Sequence, residues 1–126
     1  MGEKYKITIL YVDDEEINLL LFERTFSQKY NVIVASSGEE GLDALKNYKD
    51  EIDVVISDMR MSEMDGIEFI TLAKDEYPSK VYFILTGFVF GEEIEEALKT
   101  KLIQNSFSKP FDRDQIESEI MKVISS

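Results

Sequence analysis

The sequence predicts an α/β fold, an open doubly wound sheet of five parallel strands with five helices on its two faces. Short apolar runs alternate five times with longer amphipathic stretches. The first four runs are rich in Val, Ile, Leu and aromatic residues with little polar alternation, as in strands buried on both faces of a parallel sheet. Strict alternation of strand and helix requires right-handed crossovers, which place helices on both faces.

The 126 residues fit one domain, residues 1–126, and are too few for an eight-stranded barrel. We expect no output domain within this chain, because no linker or further run of elements is visible. The predicted strands are, in chain order, Ile7–Val12, Val32–Ala35, Asp53–Ser57, Val81–Leu85 and a weaker Asn105–Ser108.

The helices are predicted from their apolar spacing and their ends. The first, roughly Glu15 to Gln28, is apolar over a wide arc, whereas the others have apolar residues along one face. Pro78 ends the third helix. Two capping boxes are predicted, at the starts of the second and fifth helices: Ser37 with Glu40, and Asp112 with Gln115.

The composition excludes several classes of protein. Twenty-six acidic and 14 basic residues give a formal charge of −12, which repels phosphate backbones, so direct nucleic-acid binding is not expected. No apolar run approaches the roughly 20 residues that span a bilayer, and the N-terminus lacks the pattern of a signal peptide. We therefore expect a cytoplasmic protein without membrane insertion. The chain has neither cysteine nor histidine, so any bound metal must have oxygen ligands.

Polar side chains follow four of the five predicted strands. Asp13 and Asp14 follow the first, Asp58 the third, Thr86 the fourth and Lys109 the fifth. Ligands of open α/β sheets bind outside the carboxyl ends of the strands, so these residues are expected to gather at one rim. Three carboxylates at close range repel one another unless a cation intervenes, and a hard divalent ion such as Mg²⁺ or Mn²⁺ suits them.

Such a set can transfer a phosphoryl group. One carboxylate can serve as nucleophile and become an aspartyl phosphate, while the metal, a lysine and a threonine hydroxyl stabilise the charge on the phosphoryl oxygens. Each residue also has a simpler interpretation: Asp14 as a cap of the first helix, Asp58 and Thr86 as turn residues, Lys109 as a surface charge. Their coincidence at four strand ends of one sheet favours the functional interpretation.

The chain resembles the receiver family of two-component response regulators. The resemblance runs from ILYVDDEE through SSGEEGLDAL, VVISDMRMSEMDG and FILTGF to SKPF. It implies a flavodoxin-like sheet with strand order 2-1-3-4-5. It also implies a phosphoryl group received on Asp58 from a phosphohistidine of a sensor kinase or phosphotransfer protein, which switches the binding of a downstream partner.

The resemblance also implies a role for each site residue. Asp13, Asp14, Asp58 and the backbone carbonyl of Arg60 would hold Mg²⁺ or Mn²⁺. Thr86 would hydrogen-bond the phosphoryl group and Lys109 would pair with it, beside a cis peptide bond to Pro110. The domain would be a signalling module, catalysing its own phosphorylation and slow dephosphorylation, and not a metabolic enzyme.

Three positions depart from the family pattern. Ser62 replaces a common proline. Ser106 stands where an aromatic switch residue is usual, and strand parity directs the neighbouring Phe107 to the opposite face. Arg60 and Phe88, beside the expected path of attacking water, offer no group to orient it, so we expect slow self-dephosphorylation.

Other interpretations remain open at this point. The apolar run Phe88–Phe90 is either a docking surface or tucked under the fourth helix. A homodimer through the fourth helix, last strand and fifth helix is compatible with the sequence but not required by it. The alternative functions are a small metal-dependent phosphatase, which lacks the usual aspartate two positions after Asp58, and a phosphorylation-independent scaffold. A nucleotide- or flavin-binding domain is rejected because VDDEE would repel phosphate.

Overall fold

The computed structural model describes residues 6–87 and 91–124. The strands are β1 (Thr8–Val12), β2 (Asn31–Ala35), β3 (Val54–Asp58), β4 (Val81–Thr86) and β5 (Asn105–Ser108). The helices are α1 (Glu16–Phe26), α2 (Gly38–Asn47), α3 (Gly66–Glu76), α4 (Glu92–Lys99) and α5 (Arg113–Ile124). Strand and helix alternate five times, as predicted.

The sheet is parallel throughout and has the order β2-β1-β3-β4-β5. β2 lies on one side of β1 and β3 on the other, so the direction of winding reverses between β1 and β3. Ligands of doubly wound sheets bind at the carboxyl ends of the two strands where this reversal occurs. The predicted flavodoxin-like fold and strand order are confirmed.

Helices cover both faces of the sheet, and each face has its own apolar core. On one face α2, α3 and α4 contribute Leu45, Phe69 and Ile94 to a buried cluster. On the other face α1 and α5 contribute Phe22 and Ile116. The sheet is therefore buried on both sides, which explains why its strands are apolar with little alternation.

The strand ends differ slightly from the prediction, in a way that matters for the site. β3 and β4 each extend one residue further than predicted, because both continue their ladders with the neighbouring strand. Asp58 and Thr86 are thus the last residues of strands and not the first residues of loops. The backbone of each is held by the sheet, which limits the movement of its side chain.

Helix α1 is shorter than predicted and only partly buried. It ends at Phe26, with Ser27 as its C-cap. The wide apolar arc divides into a buried side and an outer side, on which Ile17, Leu20 and Leu21 are 59%, 43% and 50% exposed. The apolar arc is therefore wider than the face that α1 packs against the sheet.

The predicted capping box of α2 is half correct. The Ser37 hydroxyl accepts the N–H of Glu40 (3.0 Å), but the Glu40 carboxylate accepts the N–H of Ser36 and not that of Ser37. A complete capping box occurs at α3, where Asp65 and Glu68 exchange two hydrogen bonds of 2.9 Å. This box was not predicted, although its D-x-x-E spacing is visible in the sequence.

The other predicted helix ends are mostly confirmed. Oδ1 of Asp112 accepts the N–H groups of Asp114 and Gln115 at the start of α5, which is one half of the predicted box. α3 ends at Glu76, two residues before Pro78, as predicted. Within the described ranges, no helix is both long and apolar enough to cross a membrane.

Candidate active site

Four strands deliver polar side chains to the carboxyl edge of the sheet. Asp13 and Asp14 follow β1, Asp58 ends β3, Thr86 ends β4 and Lys109 follows β5. The ends of β3, β4 and β5 lie level, because their ladders continue in register to the last residues of β3 and β4. All five residues predicted from the sequence therefore lie at the same edge.

The three aspartates form one cluster. Carboxylate oxygens of Asp13, Asp14 and Asp58 lie within 4.8 Å of one another. Asp13 is fully buried, Asp58 is 6% exposed and Asp14 is exposed. A dense set of carboxylate oxygens is the ligand set that a hard divalent cation prefers, and its partial exposure leaves room for water ligands. The cluster therefore fits the predicted metal site.

Lys109 joins two of the carboxylates. Its Nζ lies 3.2 Å from Oδ2 of Asp13 and 3.3 Å from Oδ1 of Asp58. Burial lowers the pKa of Lys109, but the charges of Asp58 and Asp13 and its hydrogen bonds to both outweigh burial and raise the pKa above its ordinary value. The lysine is therefore a permanent cation, and it partly offsets the repulsion within the cluster.

The surroundings of Asp58 shift the pKa of its carboxyl group. Burial, and after it the charge of Asp13, raise the pKa of Asp58 to about 6, although the charge of Lys109, its hydrogen bond and the backbone N–H of Met59 oppose the shift. A strongly shifted carboxyl beside a fixed cation at a strand end is typical of a functional site. Near neutral pH this group is mostly ionised, the form that a nucleophile needs.

Asp13 is held by three donors. The hydroxyl of Tyr11 donates to its Oδ2 (2.6 Å), where Lys109 also binds, and the backbone N–H of Glu15 donates to its Oδ1 (3.0 Å). Burial, the hydrogen bond to Asp13 and the neighbouring carboxylates raise the pKa of Tyr11 far above its ordinary value. Tyr11 is therefore always protonated at the site and acts as a donor.

Asp14 connects two loops and does not cap α1. The backbone N–H of Ser62 donates to its Oδ2 (3.0 Å), and this bond joins the β1–α1 loop to the β3–α3 loop. The N-cap of α1 is Glu15, which makes no capping bond with its side chain. The simpler interpretation of Asp14 as a helix cap is therefore wrong.

Gly66 and Asp58 are in close backbone contact. A Cβ atom at Gly66 would lie 2.3 Å from the carbonyl oxygen of Asp58 and 2.9 Å from Cδ1 of Ile84. The N–H of Gly66 also donates to the carbonyl of Met59 (2.8 Å). The β3–α3 loop thus closes tightly behind the acidic cluster, which only glycine permits.

The remaining predicted residues lie around this cluster. Thr86 is 4% exposed, and its carbonyl accepts the N–H of Lys109 (2.9 Å). Arg60 is exposed in the β3–α3 loop, two residues after Asp58. The peptide bond between Lys109 and Pro110 is cis, as the resemblance implies.

On β5, the structure tests the predicted direction of the Phe107 side chain. Phe107 is 2% exposed and packs against Phe83 in the core beneath α1 and α5, with ring centroids 5.2 Å apart. Its direction away from the usual switch position is confirmed, whereas the effect of Ser106 on switching stays a prediction. Phe88–Phe90 lie outside the described residues.

Two parts of the site were missed by sequence reasoning: the hydroxyl of Tyr11 and the N–H of Ser62. The signal for Tyr11 is visible in the sequence, because a tyrosine two residues before Asp13 lies on the same face of the strand and needs a partner for its hydroxyl when buried. The contact of Ser62 has no comparable signal, since a backbone N–H carries no residue-type information.

Comparison with known sequences gives a consistent result. Residues 9–121 match the family model of the response regulator receiver domain. The chain is 35% identical over 121 residues to the transcriptional regulatory protein GlrR of Escherichia coli K12, covering 95% of this chain and 26% of that protein. It therefore spans about a quarter of the length of such relatives.

Solved structures share the fold. The signal receiver domain of an HD domain-containing protein from Pseudomonas fluorescens Pf-5 is 26% identical, with a TM-score of 0.86 and 95% of each chain covered. A chain of the CheX–CheY–BeF3–Mg²⁺ complex from Borrelia burgdorferi is also 26% identical, with a TM-score of 0.82, covering 94% of this chain and 89% of that one.

Proposed function

The chain belongs to the response regulator receiver domain family and is a signalling domain of the two-component type, and we propose that it accepts a phosphoryl group on Asp58. The observation that carries this proposal is the convergence of three carboxylates within 4.8 Å of one another, with Lys109 bound to two of them. A cluster of this kind holds a cation and an anionic phosphoryl group together.

Asp58 is the best placed of the three aspartates to act as nucleophile. Asp13 has no exposed surface, and its oxygens already accept three donors. Asp14 is committed to the N–H of Ser62. Asp58 retains some exposure, and it lies on β3, in the middle of the sheet and beside both the aspartate pair and Lys109.

The residues divide the work of the transfer. Asp13, Asp14, Asp58 and the backbone carbonyl of Arg60 would hold Mg²⁺ or Mn²⁺, which would supply positive charge to the phosphoryl oxygens. The Borrelia complex named above contains Mg²⁺, which supports this choice of ion. Lys109 turns from the carboxylates to a phosphoryl oxygen, and the hydroxyl of Thr86 donates to another.

The donor in this proposal is a phosphohistidine on a sensor kinase or a histidine phosphotransfer protein. An oxygen of Asp58 forms a bond to phosphorus, the phosphorus–nitrogen bond breaks, and its electron pair remains on the imidazole. The product is an aspartyl phosphate, which the domain itself hydrolyses slowly. The change in charge at the carboxyl edge then switches the binding of a downstream protein partner.

The test uses a small phosphodonor. Incubation with acetyl phosphate and Mg²⁺ is expected to add one phosphoryl group to the intact protein, as measured by mass spectrometry. The addition should be absent in Asp58→Asn and without Mg²⁺, and retained in Asp43→Asn, which removes an exposed carboxylate on α2. If the wild-type chain gains no phosphoryl group from acetyl phosphate or from a phosphorylated histidine donor, the proposal is wrong and a scaffold role takes its place.

A further inference from the structure

A buried tyrosine hydroxyl lies against the acidic cluster, and the mechanism above does not use it. Tyr11 is the third of the four residues of the ILYV run before Asp13 and is 1% exposed. Its hydroxyl donates to Oδ2 of Asp13 at 2.6 Å, a short distance typical of a hydroxyl bound to a carboxylate.

The ring of Tyr11 is fixed by its surroundings. It stacks on Phe22 of α1, with centroids 4.2 Å apart and an angle of 13° between the rings. Phe22 in turn contacts Phe26 and Phe111. The hydroxyl therefore projects from a rigid aromatic cluster, and it can hold the carboxylate of Asp13 in one orientation.

The number of hydrogen bonds that each oxygen of Asp13 accepts indicates which oxygen can bind a cation. A carboxylate has about four acceptor positions, two on each oxygen. On Oδ2 both positions are used, by Tyr11 and Lys109, and on Oδ1 one is used by the N–H of Glu15. Within residues 6–87 and 91–124, no donor takes the remaining position on Oδ1, so that position alone is left for a cation or its water ligand.

We infer that Tyr11 is a positioning residue of the metal site, which orients Asp13 so that Oδ1 faces the cation. This inference rests on the proposed function, because Lys109 leaves Asp13 when it pairs with a phosphoryl oxygen. Among the described residues, Tyr11 is then the one side-chain donor that stays on Oδ2. Without the hydroxyl of Tyr11, the N–H of Glu15 on Oδ1 is the remaining described hydrogen bond to this carboxylate, and a single bond holds its orientation toward the cation less firmly.

The test replaces one hydroxyl and keeps the ring. Tyr11→Phe retains the stacking on Phe22 and removes the bond to Asp13. Tyr82→Phe is the matched control, because Tyr82 is also buried and its hydroxyl donates to the carbonyl of Tyr77 (2.8 Å), in the core on the opposite face of the sheet. Both variants lose the hydroxyl hydrogen bond of a buried tyrosine, but only Tyr11→Phe changes the metal site.

Two readouts separate positioning from a general loss of stability. The first is the dissociation constant of Mn²⁺ alone, measured from the electron paramagnetic resonance signal of the free ion. Loss of a group that orients a metal ligand weakens metal affinity by roughly tenfold or more, so Tyr11→Phe should bind Mn²⁺ about tenfold more weakly and Tyr82→Phe like wild type. The second is the rate of phosphorylation by acetyl phosphate. In Tyr11→Phe the Mg²⁺ concentration for half-maximal rate should rise by a similar factor, with the rate at saturating Mg²⁺ unchanged.

The outcomes distinguish the two proposals. Mn²⁺ affinity of Tyr11→Phe equal to or tighter than that of wild type, or an equal loss in both variants, overturns the role of Tyr11 and leaves the proposed function intact. If the wild-type chain itself neither binds Mn²⁺ nor is phosphorylated, the proposed function fails, and the positioning role fails with it.

Discussion

The ammonium nitrogen of Lys109 lies 3.3 Å from Oδ1 of Asp58. The cation that would stabilise an incoming phosphoryl group is therefore already in contact with the carboxylate that would receive it. Lys109 also pairs with Asp13, so one ammonium is shared between two of the three carboxylates. The site is assembled before any phosphodonor binds.

Removing the charge of Asp58 should stabilise the fold at neutral pH. Its folded pKa of about 6 lies above the unfolded value of 3.8, so the folded state binds the proton more tightly. The stability that comes from this tighter proton binding is fully present below the unfolded pKa and is lost as the pH rises through the folded pKa. In metal-free buffer, Asp58→Asn should therefore gain about 2 to 3 kcal/mol over wild type above pH ~7, and little below pH ~4. Urea unfolding across this range measures the gain.

The control for that experiment is Asp43→Asn, which removes an exposed carboxylate and should show no comparable pH dependence. A difference between Asp58→Asn and wild type that stays constant with pH would contradict the raised pKa of Asp58.

Replacing Lys109 should make the fold depend on metal. Lys109→Met leaves three carboxylates together without their lysine partner, and removing one partner of a largely buried ion pair is destabilising. Because Lys109 is 24% exposed, we expect a loss of about 1 to 3 kcal/mol in the free energy of unfolding without metal. Saturating Mg²⁺ should recover more stability in this variant than in wild type. Urea unfolding with EDTA and with Mg²⁺ measures both effects.

Lys122→Met is the matched control, because Lys122 pairs with Glu119 on the surface of α5 and is 68% exposed. Its loss should be below about 1 kcal/mol. Equal losses in the two lysine variants would show that Lys109 is an ordinary surface charge.

Gly66 should tolerate no side chain. A Cβ at this position would lie 2.3 Å from the carbonyl oxygen of Asp58, which cannot move without breaking the end of β3. Gly66→Ala should therefore cost about 2 kcal/mol or more of unfolding free energy. Gly91→Ala is the comparison, since its Cβ would meet no atom of the described residues within 4 Å and the N-cap preference is worth up to about 1 kcal/mol. Thermal or urea unfolding measures both; similar costs would refute the backbone contact.

The aspartyl phosphate should be long-lived. Arg60, two residues after Asp58, is exposed and has neither a carboxylate nor an amide to orient an attacking water. We expect a half-life of minutes or longer with Mg²⁺ after the phosphodonor is removed, followed by intact mass spectrometry. Arg60→Asn, which supplies an amide, should shorten the half-life several-fold. A half-life of seconds in the wild-type chain would disprove this prediction.

The fold could be predicted from the sequence because the same strand–helix pattern occurs five times. Five apolar runs and the amphipathic stretches between them indicate a doubly wound sheet without knowledge of any contact. The strand order 2-1-3-4-5, in contrast, was predicted from the family resemblance. The residues of β1 and β3 do not indicate which strands lie beside them. The site residues were found because strand direction alone sends Asp13, Asp58 and Thr86 to the same edge.

The parts that sequence reasoning missed depend on contacts between distant segments. Lys109 and Asp13 are 96 positions apart, and only the folded structure shows that one ammonium is shared between Asp13 and Asp58. Similarly, the simpler interpretation of Asp14 as a helix cap relies on a local partner, whereas its hydrogen-bond donor is the backbone of Ser62, 48 positions away. Local rules favour local partners, and here tertiary contacts override them.

The ammonium that Asp13 and Asp58 share also predicts how many metal ions bind at the acidic cluster. With all three aspartates ionised, three carboxylates and one ammonium leave an excess of two negative charges, which equals the charge of one divalent ion. A second divalent ion would give the site a net positive charge, and the ammonium of Lys109 would repel it at close range. The resting domain should thus take up one equivalent of metal per chain and reach local electroneutrality with it, and the arrival of a phosphoryl dianion would then disturb that balance.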